Sequence, residues 1–205
     1  MSEIKWVFLD MGSTLVDESD VYESRCNYVI SAKGLEHDEF IEKVHHAAKV
    51  SPTPIKQAAQ AYGVALPEWN SSLEKLYLET EDVLKALSGK YKLGIIANQL
   101  AGTQKRLHNW VVLQYFDVVA ASAEAGYEKP DLRIFKLALE QAGCNPQNAI
   151  MVGDRLENDI APARQLGMKT IWVRQGFAKY QSVEKECEKP DYIIENIGEI
   201  VKVLI

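Results

Sequence analysis

Short apolar runs recur along the chain at 5–10, 91–97, 117–120, 148–153, 169–173 and 191–194, and most are separated by stretches with helical spacing. Within Trp6-Val7-Phe8-Leu9, Gly94-Ile95-Ile96-Ala97 and Ala149-Ile150-Met151-Val152 no polar residue alternates with the apolar ones. A strand of a parallel sheet is covered on both faces, so it has no solvent side to supply that alternation. The pattern therefore predicts an α/β fold: a doubly wound, Rossmann-like parallel sheet with helices on both sides. Helices are predicted at 103–113, at 131–142, and from near Asn158 to Gly167. For the second, Pro130 suits the first turn and Gly143 the end.

Residues 18–80 break the rhythm, with four predicted helices and no convincing strand. The first covers 19–32 and stops at Gly34; the second covers 38–49 and stops before Pro52 and Pro54; the third runs to Tyr62 with Gly63 behind it; the fourth surrounds 71–78. The organisation expected is an α/β core made of 1–17 and 81–205, with 18–80 inserted as a helical cap. Such an insertion leaves from the carboxyl end of the first strand and is placed to act as a lid over the crevice there. The chain shows no internal repeat and no low-complexity segment.

Composition narrows the function classes. A chain of 205 residues can bury a full core, as one domain carrying an insertion. Lysine and arginine number 23 against 29 acidic residues, a net charge of −6, which argues against nucleic acid as a partner. No apolar stretch approaches the roughly 18 residues of a membrane span, and no basic, cleavable leader precedes the first strand, so a soluble cytoplasmic protein is expected. Cys26, Cys144 and Cys187 are odd in number and far apart, and read as reduced thiols. His45 and His46 are neighbours on a helix and point in different directions, which disfavours a metal pair. Oligomeric state has no signature here.

The chemistry lies at the strand ends. Asp10 closes the first apolar run, Asp154 closes Ile150-Met151-Val152-Gly153, and Lys129 lies between them in Glu128-Lys129-Pro130-Asp131. Ligands of open parallel sheets bind where the carboxyl ends of central strands diverge, so two such aspartates would face one crevice and can hold a divalent cation.

The run Phe8-Leu9-Asp10-Met11-Gly12-Ser13-Thr14-Leu15, followed by Gly94-Ile95-Ile96-Ala97-Asn98, Lys129-Pro130 and Gly153-Asp154 with Asp159 five residues on, resembles the haloacid dehalogenase-like hydrolase superfamily in order and spacing. The resemblance spans nearly the whole chain. It implies a doubly wound sheet with a nucleophilic aspartate on the central strand, a cap between the first and second motifs, and most often a magnesium-dependent phosphatase of small phosphorylated metabolites. On that reading Asp10 is the nucleophile. A carboxylate attacking phosphorus forms an aspartyl-phosphate and splits one hard displacement into two easier ones. Two anions must then meet, and Mg2+ and Lys129 would supply the positive charge. Asp10, Asp154 and the Gly12 carbonyl fit as metal ligands. Asp159 is either a water-mediated ligand or a helix-capping carboxylate. Gly12, Ser13, Asn98 and Lys129 are the expected substrate contacts.

Two departures from the family pattern bear on activity. Most of its phosphatases carry a second aspartate two residues after the nucleophile, which protonates the leaving group and then activates water. Gly12 has no side chain to do either, a loss worth about 10²–10⁴ in rate. Asp17 lies too far along to replace it with assurance and suits the cap hinge. Ala97 stands where the family usually has a serine or threonine that binds the phosphoryl group; Asn98, Ser13 and Thr14 are the polar alternatives, and Asn98 also suits a simple turn. The expectation is a phosphatase favouring good leaving groups such as aryl or acyl phosphates. Alternatives are a catalytically silent protein that binds magnesium and a phosphorylated ligand, and a phosphonatase or dehalogenase. A dehalogenase has little use for Asp154 and Asp159, and no one of Lys43, Lys49 and Lys56 stands out as a phosphonatase's amine. Tyr22, Arg25 and Tyr28 are the candidate specificity residues of the cap.

Overall fold

Val7 and Leu9 pack with Ile95, Ile150 and Val152 on one side of a central sheet, whereas Phe8 packs with Ile96 and Met151 on the other. Successive strand residues alternate between faces, and here both faces are covered, so the strands lack polar positions. Each fully buried aliphatic side chain in these layers contributes about 1.5–3 kcal/mol of transfer free energy. The computed structural model describes residues 3–205; Met1 and Ser2, which the sequence reading places in the core, lie outside the described residues.

Eight strands are described: β1 (Trp6–Leu9), β2 (Val16–Asp17), β3 (Lys75–Leu76), β4 (Lys92–Ala97), β5 (Val118–Ala121), β6 (Ala149–Gly153), β7 (Lys169–Val173) and β8 (Tyr192–Ile194). The helices are α1 (Ser19–Lys33), α2 (His37–Ala48), α3 (Pro54–Ala61), α4 (Thr80–Ser88), α5 (Thr103–Asn109), α6 (Ser122–Ala125), α7 (Leu132–Gln141), α8 (Ala161–Gln165) and α9 (Ile200–Leu204). Six strands form one sheet in the order β5-β4-β1-β6-β7-β8, with every pair parallel. All six apolar runs of the sequence became these strands, to within a residue or so at each end. β1 is thus flanked by β4 and β6, with Leu9 opposite both Ile95 and Val152. Side chains of α4 and α9 cover one face, and those of α7 and α8 the other. Gly94 is a requirement of this packing, because a Cβ there would lie 2.6 Å from the Phe8 ring.

Residues 18–79 form a helical segment with a core of its own. Cys26 and Val29 of α1, Phe40 and Val44 of α2, and Ile55, Ala58 and Ala59 of α3 pack together, with Phe177 of the sheet domain joining at the edge. The fourth predicted helix did not form. Residues 71–78 instead hold a 3-10 turn (Ser71–Leu73) and then β3, which pairs antiparallel with β2 as Val16 opposite Leu76. Asn70 accepts from the main chain of Ser72, and Trp69 Nε1 donates to Glu74 at 2.6 Å; these contacts hold the turn in place of a helix. The two-strand ribbon is the double crossing between sheet and helical segment. α5 also ends at Asn109, short of the predicted Leu113, since Val111 adopts a left-handed φ of 58°. Asp131, accepting from Arg133 N–H at 2.9 Å, caps α7, so Pro130 lies outside that helix and not in its first turn.

Candidate active site

The parallel arrangement delivers the carboxyl ends of β1, β4 and β6 to one crevice. Asp10 follows β1 and its N–H donates to Val152 O at 2.9 Å, which keeps it in register with β6. Asp154 follows β6, and its carbonyl accepts a 2.8 Å bond from Trp172 Nε1 on β7. Asp159 arrives by a widened helical turn. Leu156–Ile160 form a π-turn that brings the carboxylate back to the strand end, where Oδ2 accepts the Arg155 N–H at 2.9 Å. Only glycine fits beneath it, because a Cβ on Gly153 would lie 2.4 Å from Asp159 Cγ.

Lys129 is buried and binds both flanking acids: its ammonium donates to Asp10 Oδ1 at 2.6 Å and to Asp159 Oδ1 at 2.5 Å. It is therefore not an ordinary surface lysine. Burial alone would lower its pKa, but Asp10 and Asp159 outweigh that and raise it, so it stays charged. Asn98 fixes its main chain. The Asn98 side chain accepts Lys129 N–H at 2.7 Å and donates to Lys129 O at 2.9 Å.

One oxygen from each of Asp10, Asp154 and Asp159 lies within 4.8 Å of the others, and all three groups are buried. Burial and mutual repulsion push Asp159 up to about 6 despite Lys129, and raise Asp154 well above the carboxylate range despite Arg155, whose Nε is 3.5 Å away. A cluster with three carboxylates, oxygen donors only and too little local positive charge is the donor set that a hard divalent cation fits.

The surrounding pocket is small, about 130 Å³, below the range of roughly 300–1,000 Å³ usual for drug-sized ligands. Asp10, Gly12, Ser13, Asn98, Lys129, Asp154 and Asp159, the residues singled out in the sequence, all line it. So do Glu18, Tyr22, Pro52, Gln99, Arg155 and Asn158, of which the sequence had flagged only Tyr22. Ala97 points instead into the core on the α4 side, fully buried. Arg25 is committed elsewhere, donating to Pro67 O at 2.7 Å and lying over Trp69, and Tyr28 is exposed.

Glu18 is the main residue the sequence reading missed. It stands immediately before α1, yet is buried: Oε2 accepts bonds from Tyr22 Oη at 2.5 Å and Ser13 Oγ at 3.0 Å. Its carboxylate reaches under Gly12, where a Cβ would lie 2.6 Å from Oε1. Burial, more than these hydrogen bonds offset, raises the Glu18 pKa to about 7. A glutamate one residue ahead of a helix reads in sequence as a solvated first-turn acid, so no local signal marks it.

The helical segment borders this crevice through Tyr22 and Pro52. Arg155 Nη2 donates to Pro52 O at 3.1 Å, Tyr22 packs on Phe177 at 4.7 Å between ring centres, and His45 stacks on Tyr180 at 4.3 Å. Among the described residues no helix is long and apolar enough to cross a membrane.

Comparisons with known proteins agree with this geometry. The sequence pattern of the family described as Haloacid dehalogenase-like hydrolase matches residues 7–173. The chain is 30% identical to a glyceraldehyde 3-phosphate phosphatase of Pyrococcus furiosus, with 100% of this chain and 94% of that one covered. It is 28% identical to a glyceraldehyde 3-phosphate phosphatase of Methanothermobacter thermautotrophicus, over 97% of this chain and 87% of that one. The crystal structure of a HAD phosphatase from Thermococcus onnurineus superposes with a TM-score of 0.66 at 24% identity, covering 98% of both chains. With the buried acid cluster at the end of a doubly wound sheet and a family match over most of its length, the chain belongs to the haloacid dehalogenase-like hydrolases.

Proposed function

We propose that this protein is a magnesium-dependent phosphomonoesterase that works through an aspartyl-phosphate on Asp10 and acts on a small phosphorylated metabolite. The observation that carries the reading is the buried contact of Lys129 with Asp10 and Asp159 beside Asp154. Asp10 Oδ1 is held by Lys129, while Oδ2 accepts no hydrogen bond among the described residues and is left for the attack on phosphorus. Lys129 offsets the repulsion between that carboxylate and the incoming phosphoryl group and stabilises charge on the equatorial oxygens. Ser13, Asn98 and the main chain around Gly12 border the space for those oxygens.

Asp10, the Gly12 carbonyl, Asp154 and Asp159 would hold Mg2+, with Asp159 engaged by Lys129 and by the Arg155 N–H and so better suited to act through water. When bound, the cation neutralises phosphate charge and orients the ester for in-line displacement. The helical segment serves as the cap: Arg155 ties the Ser51–Pro52 turn to the Asp154 loop, excluding water from the crevice. A pocket this small admits the phosphoryl group and a short carbon skeleton, in keeping with the relatives that act on glyceraldehyde 3-phosphate.

The direct test is phosphate release from a panel of small phosphate esters with Mg2+ and with EDTA, using D10N protein as the control. Magnesium-dependent turnover lost in D10N is the expected result. Absence of turnover together with tight Mg2+-dependent binding of phosphorylated ligands would favour the silent binder.

A further inference from the structure

A phosphate ester of an alcohol leaves as an alkoxide unless a proton reaches the bridging oxygen as the P–O bond breaks, and the phosphoenzyme then needs a base to activate water. Within the pocket, the groups able to move a proton are few. Asp10 is the nucleophile, Asp154 and Asp159 belong to the cation cluster, and Lys129 is bound between Asp10 and Asp159. Glu18 is the one remaining carboxylate among the lining residues.

Its placement suits the role in three respects. Ser13 and Tyr22 both donate to Oε2, which fixes the carboxyl plane; Oε1 accepts no hydrogen bond among the described residues and faces the pocket beside Gly12. The absence of a side chain at residue 12 is what admits it, since any Cβ there would collide with the carboxylate. Glu18 also borders a second, adjoining cleft lined by Trp69, Glu74, Leu100, Ser122 and Glu128, and shares that border with Asn98 and Gln99. An ester with its phosphoryl group in the first pocket and its alcohol part in the second would place its bridging oxygen at that shared border.

We propose that Glu18, entering from the start of the cap helix into the space left open at Gly12, is the general acid and base of the reaction. The assignment rests on the phosphatase reading above. Asp10 forms a bond to phosphorus as the bond to the bridging oxygen breaks; that oxygen keeps the electron pair and takes the proton from Glu18, leaving as the alcohol. Glu18, now a carboxylate, takes a proton from water as its oxygen attacks phosphorus. The acyl-phosphate bond breaks with its electron pair returning to Asp10, inorganic phosphate departs, and Glu18 is again protonated.

The test is E18Q, which keeps the size of the side chain and an oxygen acceptor for Ser13 and Tyr22. It is assayed in the full protein with Mg2+ against an alkyl phosphate and a nitrophenyl phosphate. The expected kcat/KM falls about 10²–10⁴-fold on the alkyl ester and less than about tenfold on the nitrophenyl ester, whose leaving group needs no proton. On the nitrophenyl ester E18Q should also give a burst of nitrophenol and a phosphoenzyme trappable by acid quench, since the water-activating step has lost its base. Equal losses on both esters with no burst would assign Glu18 a structural role and overturn the proposal, as would wild-type rates. Failure of the wild-type protein to turn over either ester would instead overturn the phosphatase reading and this assignment with it. A melting temperature of E18Q no lower than that of the wild type shows that loss of folding is not the cause.

Discussion

The side-chain amide of Asn98 makes two hydrogen bonds to the main chain of Lys129, accepting its N–H at 2.7 Å and donating to its carbonyl at 2.9 Å. The residue after β4 therefore sets where the ammonium from a distant turn stands beside Asp10. N98A removes both bonds, and N98D keeps the acceptor but sets a carboxylate oxygen against the Lys129 carbonyl. Both should lower kcat by about 10–100-fold, the range for groups that orient an active-site residue, with the larger loss in N98D. Steady-state kinetics with a nitrophenyl ester measure it; a change confined to KM would show that Asn98 acts on the substrate alone.

Gly153 and Asp159 form a second obligatory pair. In G153A the new methyl would stand 2.4 Å from Asp159 Cγ, so either the π-turn or the end of β6 must move. Overpacking of this kind costs about 1–3 kcal/mol. The more telling outcome is the metal response: Mg2+ should raise the melting temperature of the wild-type protein and do so less in G153A, because binding to the native state stabilises it in proportion to affinity. An undiminished shift would remove Asp159 from the cation site.

Glu18 predicts a pH dependence of stability with a definite sign. Its pKa rises from 4.5 to about 7 on folding, so between those values the native state binds more protons than the unfolded one. Stability from this group is complete below 4.5 and is lost as pH climbs to about 7. At about 1.4 kcal/mol per pKa unit the loss amounts to roughly 3 kcal/mol. Urea melts in EDTA at pH 4.5 and pH 8 should show E18Q gaining on the wild type by that order at the higher pH. A constant difference between the two proteins would contradict it.

The cleft beyond Glu18 predicts the character of the leaving group. Its lining holds Glu128 and no basic side chain; Glu74 is already paired with Arg106 at 3.8 Å, and Glu18 is the proton donor. Arg25, the one basic side chain among the candidate specificity residues of the cap, is taken by Pro67 O and Trp69. Phosphate esters of neutral hydroxylated or aldehyde compounds should therefore surpass those whose alcohol part carries a carboxylate or second phosphate by about tenfold or more in kcat/KM, the cost of setting like charges side by side. A preference for the doubly anionic esters would place the leaving group elsewhere.

Much of this protein was legible in the chain alone. The six strands were readable because a strand covered on both faces must be apolar throughout, and that requirement is local. Asp10, Lys129, Asp154 and Asp159 were readable because strand ends and a Lys-Pro turn mark them in order, and the family pattern weights each. The fourth helix of the insertion was misread because the pairing of Leu76 with Val16, sixty residues away in sequence, decides that segment. Ala97 read as a gap in a phosphoryl site, and its side chain turned out to belong to the core. Gly12 read as a missing carboxylate, since sequence shows what a residue lacks and not what fills the space. Only the folding of the start of α1 back onto the end of β1, with Ser13 and Tyr22 binding one oxygen of Glu18, put a carboxylate there. Burial, pKa and proton supply are properties of that three-dimensional neighbourhood, and no periodicity along the chain encodes them.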